Sequence, residues 1–221
     1  MNAAMSVEQT KILTRSEIVE VLADLKQKGR RSVNQRQNLI IFRLAACCGL
    51  RVSEIVGLSL ANVKVTSKRP HVYVPASIAK RRKPRRVPLW WDAGTLADLE
   101  AWKNERIGME AKPGDPFVCS LSTGSHHLTG KTFGKPLARR NAQYRFQRGI
   151  KFLGQERVEM LSIHSGRHSF CSHALAGGRT LPEVRDAAGH SNVSTTSVYL
   201  HIVHDDDEEI GSLFEFGPQI S

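Results

Sequence analysis

Two histidines flank an arginine in the segment HSGRHSF, residues 164–170, and side chains of these types could bind either a metal ion or an anion. A zinc peptidase of the H-E-x-x-H type needs a glutamate directly after the first histidine, and this chain has Ser165 there. Arg167 keeps its positive charge at any working pH, and on a helix it lies one turn from His164. The segment therefore suits an anion better than a metal ion, although an ordinary helix start with solvent-facing polar groups fits the same residues.

The charge of the chain is that of a protein that binds a polyanion. Its 221 residues include 32 Lys and Arg against 21 Asp and Glu, which gives a net charge of +11. All of the basic residues but only 15 of the acidic ones lie in residues 1–204, so this part carries +17. Such a charge indicates nucleic acid binding, and a solvated basic face without a partner is the alternative.

The cysteines and the apolar runs predict a soluble cytoplasmic protein. Cys47, Cys48, Cys119 and Cys171 show no C-x-x-C spacing, which indicates reduced, buried thiols and neither a zinc site nor a disulfide framework. The N-terminal segment lacks the basic and apolar regions of a signal peptide, and no uncharged apolar run is long enough to span a membrane.

Apolar spacing predicts that most of the chain is helical. Thr14 followed by Glu17 forms a capping-box pattern, and apolar residues then recur at helical spacing up to Gly29. Thr180 and Glu183 repeat this pattern. The segments predicted to be helical are 14–29, 35–48, 51–60, 93–108, 137–154, 165–176, 180–189 and 194–204, with a loop-rich connection over 113–136.

A β-hairpin is predicted where the pattern changes from helical spacing to alternation. Residues 71–74 alternate, and a second apolar run follows at 87–89. Six of the seven residues from Lys80 to Arg86 between them are Lys or Arg, which indicates a hairpin that faces DNA, with a nuclear localisation signal as the other interpretation. The predicted fold class is α+β, mainly α with a small antiparallel β-sheet.

Four segments, CGLRVSEIVGL, AKRRKPRRVPL, HSGRHSF and AAGHSNVSTTSVYLHI, resemble in order and spacing the motifs of the tyrosine recombinase (phage integrase) family. The resemblance covers roughly residues 14–204. It implies the integrase catalytic-domain fold and a site-specific recombinase that cleaves and rejoins DNA through a 3′-phosphotyrosyl intermediate without metal, cofactor or ATP. The family pattern of His, two residues, Arg, His, then Gly-His and a later Tyr is met by His164, Arg167, His168, Gly189, His190 and Tyr199.

The resemblance also implies a role for each of these side chains. Tyr199 is the expected nucleophile, and because a free phenol has a pKa of about 10, its attack at neutral pH needs nearby cations or a base. Arg51 and Arg167 are expected to hold the non-bridging phosphate oxygens, and His190 to contact one of them. His164 is expected to be a general base or a hydrogen-bond donor to the phosphate.

Further residues are assigned by the same resemblance to proton transfer, support and DNA contact. Lys80 is the expected general acid for the departing 5′-oxygen, with Lys83 as the other candidate. Glu54 is expected to orient Arg51, and His168 to be a structural neighbour of the site. The residues expected to contact DNA are Arg81, Arg82, Lys83, Arg85 and Arg86.

The domain organisation expected from the resemblance is a catalytic domain over residues 1–204, no N-terminal core-binding domain, and a tail over 205–221. The tail begins with five acids and continues with an apolar cluster, which is expected to pack in cis or on a neighbouring protomer, with a disordered end as the alternative. Double-stranded DNA is the expected partner, with a monomer in solution and a homotetramer on DNA. A type IB topoisomerase and a catalytically silent DNA-binding regulator are the alternative functions.

Overall fold

The computed structural model describes residues 9–121 and 134–201. In this part of the chain the predicted fold class is confirmed, because the elements are mainly helices with one small antiparallel sheet. The α-helices are α1 (Arg15–Gly29), α2 (Val33–Phe42), α3 (Val52–Gly57), α4 (Ala93–Gly108), α5 (Arg139–Gly149), α6 (Gln155–Met160), α7 (Ile163–Ala176), α8 (Leu181–Ala188) and α9 (Ser194–Ser197). The strands are β1 (Val63–Lys64), β2 (His71–Val74) and β3 (Arg85–Pro88).

Both capping boxes predicted from the sequence are confirmed. The Thr14 hydroxyl accepts a hydrogen bond from the Glu17 backbone N–H at 3.2 Å, and the Glu17 carboxylate accepts one from the Thr14 N–H at 2.8 Å. Thr180 and Glu183 form the same reciprocal pair at the start of α8. These bonds satisfy backbone donors that have no partner within the helix, and they fix where α1 and α8 begin.

The segment from α2 to Gly49 runs through the core. It continues from α2 as a π-helix over Arg43–Cys47, and its side chains from 37 to 48 are buried. Its polar residues therefore need partners: Gln37 pairs with the Cys119 backbone, and Arg43 forms ion pairs with Asp92 and Asp98. Helix α7, which bears the HSGRHSF segment, packs along this segment, so its position depends on the core.

The predicted hairpin is confirmed, and it is the larger part of a three-stranded sheet in the order β1-β2-β3. Alternate residues of β2 and β3, Val72, Val74 and Val87, are buried in the core. The cationic connection between these strands contains a 3-10 turn over Lys80–Arg82. Arg81 and Arg82 there have left-handed φ values of 61° and 53°, which are uncommon for residues with a side chain.

The C-terminal helices lie close to their expected positions, with one difference. A single last helix was expected over 194–204, whereas the structure has α9 followed by a 3-10 helix over Val198–His201. The tail 205–221, for which docking was expected, lies outside the described residues. The four cysteines are buried free thiols as expected, and no helix in the described part is long and apolar enough to cross a bilayer.

Substitution of Gly49 tests how the core supports α7. Gly49 has a φ of +63°, and a Cβ there would overlap the ring of Phe170 on α7. We expect Gly49→Ala to lower the free energy of unfolding by about 3 kcal/mol in urea titrations, because left-handed strain and overpacking add. Gly178→Ala is the matched control, since Gly178 has a φ of +81° and open space around it; there we expect a loss of about 1 kcal/mol. Equal losses in the two variants would contradict this packing.

Candidate active site

Arg51 lies at the start of α3, where its backbone N–H and its side chain both donate hydrogen bonds to the carboxylate of Glu54. Glu54 accepts hydrogen bonds from the Arg51 backbone N–H at 2.8 Å and from Arg51 Nη1 at 3.1 Å. Arg51 Nη2 donates to the Gly189 carbonyl oxygen at 3.2 Å, and the side chain remains 21% exposed. The expected contact between Glu54 and Arg51 is present, and it leaves part of the guanidinium open to solvent.

Glu54 is fully buried and binds a second arginine. Arg85 donates from Nη1 and Nη2 to the two carboxylate oxygens, at 2.8 and 2.7 Å. Burial raises the pKa of Glu54, but the hydrogen bonds and charges of Arg85 and Arg51 outweigh it, so the pKa lies below its ordinary value. Glu54 is therefore a carboxylate at neutral pH.

Arg85 is placed differently from the sequence expectation. We expected it to face DNA, but its side chain is only 8% exposed, and its Nε donates to the Ala187 carbonyl oxygen at 2.8 Å. All three of its nitrogen atoms are thus engaged within the protein. The reason is that Arg85 lies on the same face of β3 as the buried Val87, two residues on.

Arg167 is buried, and only part of its guanidinium is paired within residues 9–121 and 134–201. Its Nη1 donates to the Gly49 carbonyl oxygen at 2.6 Å, whereas its buried Nη2 has no hydrogen-bond partner among these residues. The side chain is 2% exposed, and burial together with the charge of Arg51 lowers the pKa of Arg167 to about 10. It is therefore still a cation at neutral pH, and an anion bound beside it would supply the missing partner.

Tyr199 lies against two of the histidines. His168 Nδ1 is 2.5 Å from the Tyr199 hydroxyl oxygen, and the ring of His190 lies parallel to the phenol with centroids 6.3 Å apart. The ring of His164 packs edge-on against that of His168, with centroids 4.3 Å apart. His190 Nδ1 is hydrogen-bonded to Thr196 Oγ1 at 3.0 Å. The two histidines of the HSGRHSF segment and the tyrosine thus form one row.

Burial keeps the three histidines and the tyrosine uncharged at neutral pH, and neighbouring cations add to this effect for the histidines alone. Burial and nearby positive charges lower the pKa of His168 to about 4 and that of His190 to about 3. Partial burial and the charges of Arg167, Arg51 and Lys80 lower the pKa of His164 as well. Burial raises the pKa of Tyr199, and the charge of Arg167 only partly opposes this. At neutral pH the phenol is protonated, and neutral imidazoles beside it can accept its proton.

Lys80, in the cationic turn of the hairpin, is near enough to His164 for the two to interact electrostatically. Lys80 is exposed, and its charge contributes to the lowered pKa of His164. Arg81, Arg82, Lys83 and Arg86 are also exposed. Apart from Arg85, the residues expected to meet DNA are therefore open to solvent.

Three parts of the arrangement were not found from the sequence. His168 was expected to be only a neighbour of the site, yet it contacts the phenol oxygen directly. The carbonyl oxygens of Gly49 and Gly189 hold Arg167 and Arg51. The sequence signal that could have indicated them is a glycine at the end of each predicted helix, because such a glycine often takes the positive φ that both have here. In residues 9–121 and 134–201, no three His, Cys, Asp or Glu side chains are grouped to hold a metal ion.

The arrangement as a whole can bind a phosphate and attack it. Arg167, whose Nη2 is unpaired among the described residues, lies close enough to Arg51 and to Tyr199 for their charges to interact, and the Tyr199 hydroxyl is hydrogen-bonded to an imidazole. Guanidinium groups stabilise the charge that grows on phosphoryl oxygens, and a phenol beside a base can act as a nucleophile.

Comparison with known proteins agrees with this geometry. The profile described as the Phage integrase family matches residues 11–205. A tyrosine recombinase XerC from Azotobacter vinelandii is 32% identical over 168 residues, which is 76% of this chain and 48% of the relative. A XerC from Neisseria gonorrhoeae is 33% identical over 175 residues, 79% of this chain and 49% of the relative. The chain thus spans about half the length of the curated relatives it matches.

Solved structures share the fold at low sequence identity. XerA recombinase superimposes with a TM-score of 0.65 at 17% identity, over 91% of this chain and 60% of that one. XerH site-specific recombinase, bound to a palindromic difH substrate in a post-cleavage complex, gives 0.61 at 22% identity, over 88% and 50%. With the family profile covering most of the sequence, these findings show that the chain belongs to the phage integrase family.

Proposed function

We propose that this chain is the catalytic part of a site-specific DNA recombinase, which cleaves one strand by attack of Tyr199 and rejoins it through a 3′-phosphotyrosyl intermediate. The observation that supports this most is the Nη2 of buried Arg167, which has no partner among the described residues and lies in the same cluster as Arg51 and Tyr199. A buried guanidinium with a free donor needs an anion, and the scissile phosphodiester is one. The names of the matched relatives favour recombination over relaxation by a type IB topoisomerase.

In this proposal the phosphate is held before the reaction begins. Arg167 and Arg51 bind the non-bridging oxygens, whose charge grows in the pentacoordinate transition state, and His190 contacts one of them. The carbonyl oxygens of Gly49 and Gly189 hold the two guanidiniums in place, so little reorganisation is needed. The presence of every side chain that the reaction needs argues against a silent regulator.

The proton of Tyr199 passes to a histidine. His168 is neutral at pH 7 and already hydrogen-bonded to the phenol oxygen, so it is the base that this geometry supports. His164, at the exposed end of the row, is then left to donate a hydrogen bond to the phosphate.

The departing 5′-oxygen takes a proton from Lys80, with Lys83 as the other candidate. The phosphotyrosyl bond conserves the energy of the phosphodiester, so a 5′-hydroxyl can reverse the step without ATP. Arg81, Arg82 and Arg86 bind the backbone of double-stranded DNA. Strand exchange between two sites then joins four copies of the chain on nucleoid DNA in the cytoplasm.

Tyr199→Phe tests the nucleophile. On a nicked suicide substrate, from which the short cleaved strand diffuses away, we expect the parent chain to form a covalent adduct that survives SDS. The variant should bind DNA with unchanged affinity and form none, because it keeps the ring but lacks the oxygen. Tyr73→Phe, on β2, is the control and should cleave normally. An adduct on Tyr199→Phe would show that another residue attacks.

His168→Gln tests the base through its pH dependence. Because the pKa of His168 is about 4, the parent cleavage rate should be nearly flat from pH 6 to pH 8. The variant should be slower by about 10² to 10⁴ at pH 7, and its rate should rise with pH as hydroxide takes over the proton. A variant with a flat profile and the parent rate contradicts the assignment. His71→Gln, on β2, serves as the control.

Lys80→Ala tests the acid. With an ordinary substrate we expect cleavage to fall by at least 10², because an alkoxide leaves poorly without a proton. A 5′-phosphorothiolate leaving group needs no proton, so it should restore the rate. Should that substrate rescue Lys83→Ala and not Lys80→Ala, Lys83 is the acid.

A further inference from the structure

Arg85 lies where three elements of the site meet. It is the first residue of β3, it forms a bidentate pair with Glu54 on α3, and it donates to the Ala187 carbonyl oxygen on α8. Arg51, Lys80 and His190 are attached to these same three elements. One side chain, itself largely buried, therefore joins the supports of three candidate catalytic residues.

The connection between β2 and β3, which carries Lys80 and is called the Lys80 turn below, contacts α3 at two points. Val74 and Arg85 are paired across β2 and β3 and close the base of the turn, and Arg85 ties this base to Glu54. The second point is Ile78, whose side chain packs onto Gly57 so closely that a Cβ there would lie 2.7 Å from Ile78 Cγ2. Because positions 54 and 57 are one turn apart, both contacts fall on the same side of α3.

The backbone that leads from α8 to His190 is held in place at the neighbouring Gly189. A Cβ on Gly189 would lie 2.8 Å from Arg85 Cδ, and the Gly189 carbonyl oxygen accepts from Arg51 Nη2 at 3.2 Å. The backbone just before His190 is therefore held between two arginines. A shift of Arg85 would move this backbone together with the base of the Lys80 turn.

We propose that Arg85 is a positioning residue, which sets Lys80, Arg51 and His190 relative to one another through Glu54 and α8. This inference rests on the proposed function, because it assigns the support of the same reaction. A planar guanidinium donates in three directions at once, to two carboxylate oxygens and one carbonyl. A lysine ammonium keeps the charge but cannot reproduce this fork, so Arg85→Lys separates geometry from charge.

The test is single-turnover cleavage at saturating DNA, with ordinary and 5′-phosphorothiolate suicide substrates. We expect Arg85→Lys to cleave the ordinary substrate about 10²-fold more slowly, the scale for a misplacement of about 1 Å, with a Kd for DNA close to that of the parent. The phosphorothiolate should recover part of this loss, because it bypasses the displaced Lys80. Three results of this comparison overturn the inference: an unchanged rate with an unchanged Kd, a weaker Kd with an unchanged rate, which assigns Arg85 to DNA contact, or a loss that is equal on both substrates.

A matched control and a second variant separate positioning from stability. Arg36 forms a similar bidentate pair with Glu105 between α2 and α4, helices that carry no candidate catalytic residue, so Arg36→Lys should change neither rate. If Arg85→Lys does not fold, the double variant Glu54→Gln/Arg85→Gln removes both buried charges and should show the same partial rescue; a parent rate in that variant overturns the inference. A parent chain that forms no adduct contradicts the proposed function and this inference with it, whereas equal cleavage by the parent and Arg85→Lys contradicts the inference alone.

Discussion

The excess of buried positive charge is the constraint on which the site depends. Arg167, Arg85 and Arg51 are 2%, 8% and 21% exposed, and Glu54 is the carboxylate that pairs with two of them. Burying a guanidinium without full compensation is unfavourable, and the fold compensates with three backbone carbonyl oxygens. In the part of the chain that the structure describes, Nη2 of Arg167 still lacks a partner, and an anionic oxygen of a polynucleotide backbone can supply one.

The surrounding fold positions the carbonyl oxygens that accept hydrogen bonds from these arginines. The buried segment from α2 to Gly49 places one carbonyl oxygen beneath Arg167, and the left-handed end of α8 places another beside Arg51. Both glycines have positive φ and close neighbours, so neither accepts a side chain without a shift in an arginine or in the α7 packing. Burial and nearby positive charges, that of Arg167 among them, lower the pKa values of His168 and His190, which is why neutral bases can lie beside the phenol.

The sequence could predict what is set by neighbours along the chain. The capping box at Thr14 and the end of a helix at Gly49 are local patterns, and the motif spacing was enough to group the candidate residues. The contacts of Arg85 are set by a partner 31 residues away, and within a run of cations nothing in its residue type distinguishes it. The one sign in the sequence is that Arg85 precedes the apolar Val87 by two residues, which places both on the same face of β3. The bond from His168 to Tyr199 likewise depends on how α7 meets the last helical turns.

The central claim is that Arg167 acts by balancing the charge of a phosphate oxygen. Its most direct test replaces the scissile phosphate of a suicide substrate with a methylphosphonate, which lacks one negative charge. Single-turnover adduct formation is then compared for the parent chain and Arg167→Ala. The account predicts that the variant is slower by about 10² or more on the phosphate and regains most of that loss on the methylphosphonate. An equal loss on both substrates, with the protein folded, would contradict it and make Arg167 a structural residue.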